Sequence, residues 1–516
     1  MIVFLIYIIL ILVITYLNRS EVLKGVFKST KKTTWVVPSI SLLMYYISIE
    51  QGQMITGILT TQGLWGLWLF WSGLLGVAFT PIIFAPLWSK LDFVTDNQFL
   101  LFRYSGLSSK ILHIFRAFYV GGIVVAFLLS FHILAFSRVV EIYFHLNRYS
   151  SIILTGGVLL IFSIKNTFQI KLKIDVLHIF IYLLLLSIAF YYLYQASGGF
   201  QESFTKYGKA GVDNLNLFPP VEQKSAWVSW FAFVGVQWWS AQLFDGGGPE
   251  MARFTAVKGK RNAILTALIP VVLYIILSFL MVSLSVMVLS TSTSNLGESQ
   301  FISSIYCVVP ESLRMLCFLG FFGMFITISE SQMNWGGSFL TIDLYQKYIQ
   351  PHRSEKHYMF VSFLVMFSLS LLGIVIAFNF ESLQGLLKFV FSISAGVAPV
   401  FILRWFWLRI NAWSQLSAML SSAIYTMLFS FFFNKNIFFV NYFEEARLIA
   451  VTILTSATWI IVTFLTKKDD EEVLMRFKKI VPDKKTVLRE FRIAFAIGLF
   501  FLLLVLSVWK LIIFFL

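Results

Sequence analysis

Runs of about twenty apolar residues, parted by short polar stretches, recur along the whole chain, and no other feature limits its fold so severely. A bilayer core about 30 Å thick is crossed by about twenty residues of α-helix. Inside that core every backbone N–H and C=O must find a partner within the protein, which leaves helices or closed barrels. The runs are continuous and lack the alternation of a lipid-facing barrel strand. The chain therefore reads as an all-α polytopic membrane protein. Composition agrees: 58% of the 516 residues are hydrophobic and 13% charged, with a mean hydropathy of +0.83. So few charges cannot cover a water-exposed surface, since soluble domains carry about a quarter. A soluble enzyme, a disordered chain and a disulfide-stapled scaffold are excluded.

Candidate spans fall near 2–17, 34–56, 63–89, 111–143, 150–165, 174–194, 225–244, 261–291, 311–346, 357–378, 383–409, 412–433, 447–466 and 493–515, about fourteen helices. The first lacks a basic leading region and a small-residue cleavage site, so it is expected to be a retained span and not a signal peptide. Cys307 and Cys317 lie in or beside apolar segments and make no thiolate site. The six histidines show no paired metal spacing, so no transition metal is expected.

The net charge of +15 is explained by where the basic residues sit. Alternate loops carry them: Arg19 to Lys32, Lys90 to Lys110, Lys165 to Lys173, Arg253 to Arg261, Lys347 to Lys356, Arg404 and Arg409, and the 467–492 loop. Basic loops stay cytoplasmic, which puts both termini outside, in the periplasm of a bacterial inner membrane. The charge is topological, and nucleic acid is not an expected partner. The 467–492 loop is expected at the anionic lipid surface.

The one long outer loop, 195–224, divides the middle of the chain. Five spans in 34–194 and five in 225–410 would form a pair of inverted repeats, since an odd number makes the second unit start on the opposite side. Residues 1–33 would then be a peripheral first span with its loop, and 411–516 three peripheral spans. Such pairs place the transport site near the midplane, on broken helices.

Ionisable groups within a span are costly, and each is a functional candidate. The second span holds Ser48-Ile49-Glu50-Gln51-Gly52-Gln53, where the glycine would let the helix open and expose carbonyls. The seventh holds Gln237, Trp239 and Gln242, amides interleaved with an aromatic, which suits a polar organic ligand. Glu50, Gln51, Gln53, Gln237, Trp239 and Gln242 are candidate solute contacts; plain interhelical hydrogen bonding is the alternative. In the ninth span Thr327, Glu330, Ser331 and Asn334 share one helix face, and their oxygens suit a small hard cation. Asp175 opens the sixth span, where an acid could simply cap the helix. Lys388 in the eleventh either snorkels outward or attracts an anionic solute.

Four stretches together resemble the sodium:solute symporter family: Ser48-Ile49-Glu50-Gln51, Ile174-Asp175-Val176-Leu177-His178, the loop from Pro249 to Ala263, and Ser331-Gln332-Met333-Asn334 leading to Ile342-Asp343-Leu344-Tyr345. Val400 to Asn411 and Leu91 to Gly106 resemble a poorly characterised bacterial subgroup. The resemblance implies a Na⁺-coupled importer with a five-plus-five inverted-repeat core. It implies a sodium site from backbone carbonyls of Met44 and Ile47 with Met324 and the hydroxyl of Thr327. Ile328 stands where a second hydroxyl is usual, and Glu330 where a small hydroxyl residue is common. Ser331 and Asp175 take positions along the inner ion route, and Gln51 that of a solute contact.

The expected function is symport of a small polar solute with Na⁺, or with H⁺ through Glu330 and Asp175, and no organic cofactor or obligate protein partner. A non-transporting receptor and a lipid-linked saccharide flippase are the rivals from other classes.

Overall fold

In the computed structural model the described residues are 7, 9, 10, 27, 28, 32–162, 168–211, 213–240, 244–291, 296–433 and 443–515. Apart from an isolated bridge between Thr33 and Val257, their regular structure is helical. The expected first span, 2–17, and candidate Gln242 lie outside the described residues.

The helices run α1 Val36–Tyr46, α2 Glu50–Thr61, α3 Leu64–Trp88, α4 Gly106–Phe144, α5 Arg148–Phe162, α6 Phe168–Ser197 and α7 Phe200–Ala210. They continue as α8 over 224–240, α9 Gly259–Thr291, α10 Gln300–Val308, α11 Glu311–Ile349 and α12 Glu355–Ala377. The remainder are α13 Leu383–Ser394, α14 Ala398–Leu403, α15 Ala412–Leu428, α16 Phe443–Leu465, α17 Glu471–Lys478 and α18 Lys484–Phe514.

Eight of these helices are long and apolar enough to cross a bilayer: α3, α4, α6, α9, α11, α12, α16 and α18. They match eight of the fourteen expected spans. The other described ones are short or interrupted. The second span is split between α1 and α2, and the eleventh, expected to be continuous, is split between α13 and α14. There Gly396 takes φ +78°, a left-handed value that glycine adopts without strain, and its N–H reaches Ser240 C=O at 2.9 Å.

Gly52 does not open the second span. The break comes earlier, and Gly52 lies inside α2, where an added Cβ would meet the Phe301 ring and the Met281 methyl at 2.5 to 2.9 Å. Its role is close packing against α9 and α10. Gly336 plays the same part where α11 crosses α4: a Cβ there would meet the Gly121 carbonyl oxygen at 2.5 Å. Small residues let helix backbones approach where no hydrophobic force drives them together.

The expected 467–492 connector folds back on the protein. Phe477 of α17 is fully buried beside Phe99 and Trp405, and Asp469 accepts from Ser105 N–H at 2.8 Å. Burial pushes the Asp469 carboxyl above its usual range, against the pull of that N–H and of Arg103.

Candidate functional site

The second span breaks because Ile47 turns to extended backbone, φ −86° and ψ 93°. The last backbone bond of α1 runs from Ile47 N–H to Leu43 C=O at 2.9 Å, and the chain resumes with Gln51 N–H to Ser48 C=O at 3.1 Å. A helix end leaves its last carbonyls without an intrahelical donor. The carbonyl of Met44 is among those released, and both Met44 and Ile47 are 0% exposed. The unbroken α11 packs against α1 and brings in Met324 and Thr327, also buried.

The Thr327 hydroxyl lies 2.7 Å from His178 Nδ1 on α6. The other ring nitrogen of His178 is 2.9 Å from the Tyr7 hydroxyl. Ser331, one turn beyond Thr327, donates to the Thr327 carbonyl at 2.9 Å. Glu330 is buried beside it, close enough to Tyr7 and Lys171 to act on both electrostatically.

A polar chain runs on from Ser331. Arg253 donates through Nη2 to Ser331 Oγ at 3.2 Å, through Nε to Ser41 Oγ at 3.0 Å, and through Nη1 to Pro249 C=O at 2.7 Å. Ser41 in turn donates to Asp175, and Lys171 Nζ sits 2.9 and 2.8 Å from the two Asp175 oxygens. Thr327, Ser331 and Asp175 thus belong to one hydrogen-bonded path. Asp175 does not cap its helix; it lies inside α6, about two turns from Phe168.

Lys171 and Arg253, counted from sequence among cytoplasmic loop charges, are each 1% exposed. A lysine four residues before an intramembrane acid was the available signal, because such pairs face each other on a helix. Arg253 carried no such spacing. A further loop charge is also buried: Arg404 pairs with Asp245 at 2.8 Å; Arg116, within α4, pairs with Asp96 at 2.5 Å.

The solute candidates do not converge on one cavity. Glu50 faces His132 Nδ1 at 3.4 Å, and Gln53 donates to Ala135 C=O at 3.0 Å. Gln237 donates to Leu69 C=O at 3.1 Å, and Trp239 to Gly235 C=O within its own helix at 2.6 Å. Lys388 Nζ is 3.4 Å from Glu445, and Lys388 and Gln237 line one small cavity with it. Gln51 donates to the Tyr274 hydroxyl at 3.3 Å.

That last bond reaches the wall of a cavity of about 300 Å³ between α3 and α9, at the end of α1. Its polar lining includes Tyr46, Thr80, Tyr274 and Glu250, among Phe70, Phe244 and aliphatic residues. Glu250 lies in the loop after α8, half-buried. Burial pushes its carboxyl up to about 7, opposed by a Tyr46 hydrogen bond and the Arg253 charge and reinforced by Asp245.

The model of the sodium:solute symporter family matches residues 27–422. Among solved structures, the chain is similar to a Na⁺-coupled sialic acid symporter in a substrate-bound outward-open state, at 16% identity and a TM-score of 0.67, covering 90% of this chain and 97% of that one. It is also similar to a nucleobase-cation-symport-1 family transporter in a closed conformation, at 13% identity and a TM-score of 0.52, covering 89% and 99%. At such identities the likeness is one of fold, the inverted-repeat transporter fold. No curated protein sequence matches the chain.

Proposed function

The chain belongs to the sodium:solute symporter family, and we propose that it imports a small polar organic solute together with Na⁺ by alternating access across a bacterial inner membrane. One observation carries the reading. Carbonyls released at the break of the second span lie in a buried interface with α11, which supplies the Thr327 hydroxyl. Oxygen ligands of this kind suit a small hard cation.

In this account Na⁺ is held by the Met44, Ile47 and Met324 carbonyls with Thr327. It leaves inward past Glu330, Ser331 and Asp175. Binding steadies the break against α11, so the ion favours the conformation that accepts solute; each tenfold preference corresponds to about 1.4 kcal/mol of coupling. The repeats, 34–194 and 225–410, then move against each other with the basic loops on the cytoplasmic side. The test is uptake of a solute panel into proteoliposomes with and without an inward Na⁺ gradient. Uptake that ignores the gradient refutes the coupling.

A second reading has its own support. His178 bridges the Thr327 and Tyr7 hydroxyls through its two ring nitrogens, a chain of groups along which a proton can pass beside the buried Glu330. In that reading H⁺ replaces Na⁺, with Glu330 and Asp175 along the route, and a pH gradient alone drives uptake.

A further inference from the structure

We propose that the cavity between α3 and α9 receives the positively charged group of the solute, and that the solute is a small organic cation, an amine or a quaternary ammonium compound. The inference rests on the transport reading above and narrows it to a substrate class.

The walls decide the chemistry. Tyr46, Phe70, Phe244 and Tyr274 supply aromatic surface, and Tyr46 and Tyr274 meet edge to face with centroids 6.2 Å apart. Ring faces carry negative potential and attract a cation. Glu250 is the charged residue of the lining, and its Oε2 has no hydrogen-bond partner among the described residues. The nearby Arg253 acts on Glu250 through its charge, while its hydrogen bonds go to Pro249, Ser41 and Ser331. Thr80 spends its hydroxyl hydrogen on Phe244 C=O at 2.9 Å. An anion entering here would face a carboxylate and π surfaces, with no cationic side chain in the lining. A neutral polyol would bring no charge to the carboxylate. A cation satisfies the carboxylate and the rings together.

Position ties the cavity to transport. Tyr46 is the last residue of α1, at the break. Gln51, just past the break on α2, holds the Tyr274 hydroxyl. A rearrangement of the break therefore moves the wall of the cavity. Its volume of about 300 Å³ lies at the small end of the range for ligand sites.

The experiment compares choline and tetramethylammonium with their uncharged isosteres, in which carbon replaces nitrogen, and with a carboxylate of the same size. Binding is read by thermal shift on the purified full chain, and by competition against solute uptake in proteoliposomes. The ammonium compounds should stabilise the protein at least tenfold more potently than their isosteres, and the carboxylate should not bind. Glu250→Gln should lose at least tenfold in ammonium affinity, and Tyr274→Leu should lose more than Tyr274→Phe. Equal binding of the isosteres overturns the inference, and that comparison uses the unaltered protein should the Glu250 variant fail to fold. Na⁺-driven uptake of a neutral or anionic solute, untouched by ammonium compounds, also overturns it while leaving symport intact. Ammonium binding without any Na⁺ or H⁺ dependence upholds the cation site and refutes the coupling.

Discussion

The Lys171 ammonium lies 2.9 and 2.8 Å from the two carboxylate oxygens of Asp175, one turn along the same helix, with both side chains sealed from solvent. Asp175 lies on the proposed inner ion route, so the pair sets a fixed cation against a mobile one. Removing one member of a buried pair costs about 3–5 kcal/mol, because the other charge is left alone. Lys171→Met should therefore lower the melting temperature in Na⁺-free detergent solution, and Na⁺ should restore more of it than it adds to the wild type. The Lys171→Met, Asp175→Asn double variant should be more stable than the single one. A single variant as stable as the wild type would show that the pair is not holding the route.

His178 and Thr327 yield a second prediction. In the tautomer that carries its proton on Nε2, the His178 Nδ1 lying 2.7 Å from Thr327 Oγ1 accepts the hydroxyl hydrogen, and the hydroxyl oxygen keeps its lone pairs for a cation. A protonated ring would reverse that bond and place a like charge beside Na⁺. Acidification should therefore weaken Na⁺ binding in the wild type and weaken it less in His178→Gln. The check is a Na⁺ titration by thermal shift at several pH values; equal pH dependence in both proteins counts against the assignment.

Much of the frame was legible because the bilayer demands it. Long apolar runs α3, α4, α6, α9, α11, α12, α16 and α18 announce themselves by length and hydropathy. The break in the second span was legible from polar residues that do not belong in lipid, though its position was not: Ile47 carries no mark of an extended residue, while Gly52 does carry one and sits in unbroken helix. Thr327 and Ser331 were legible as one face of α11, because helical spacing is local information. Arg253 and Lys171 were not placed in the interior. Their burial comes from contacts with Ser41 and Asp175, far off in sequence or hidden in what reads as a loop. The same limit hid the cavity, whose lining comes from several separate helices and a loop.

Glu250 sets a pH dependence with a definite sign. Its carboxyl is raised in the native state to about 7 by burial, so the folded protein binds its proton more tightly than the unfolded chain. The resulting stability is present below the usual carboxylate value and is lost as pH rises through about 7. Relative to Glu250→Gln, the wild type should lose melting temperature over that window in the absence of solute. A difference between the two that does not vary with pH would remove the buried carboxyl as its source.

Glu298 ties α4 to the start of α13. It takes Arg138 Nη1 at 2.7 Å and the first backbone N–H groups of α13, Leu383 and Gln384, each at 2.9 Å. Hydrogen bonds to a charged group contribute about 1.5–3 kcal/mol. Glu298→Ala should lower the melting temperature and speed hydrogen exchange in α10 and at the start of α13, with little change around Arg253 and Lys171. Unaltered exchange at α13 would mean that its N-terminus is held by other contacts.

Equilibrium binding of radioactive sodium to the purified protein tests the central claim most directly, because it needs no knowledge of the solute. Saturable binding in the wild type, lost at least tenfold in affinity in Thr327→Ala with the fold retained, is the result expected. No saturable sodium binding in the wild type, or binding unchanged by Thr327→Ala, would contradict an ion held between the broken second span and α11.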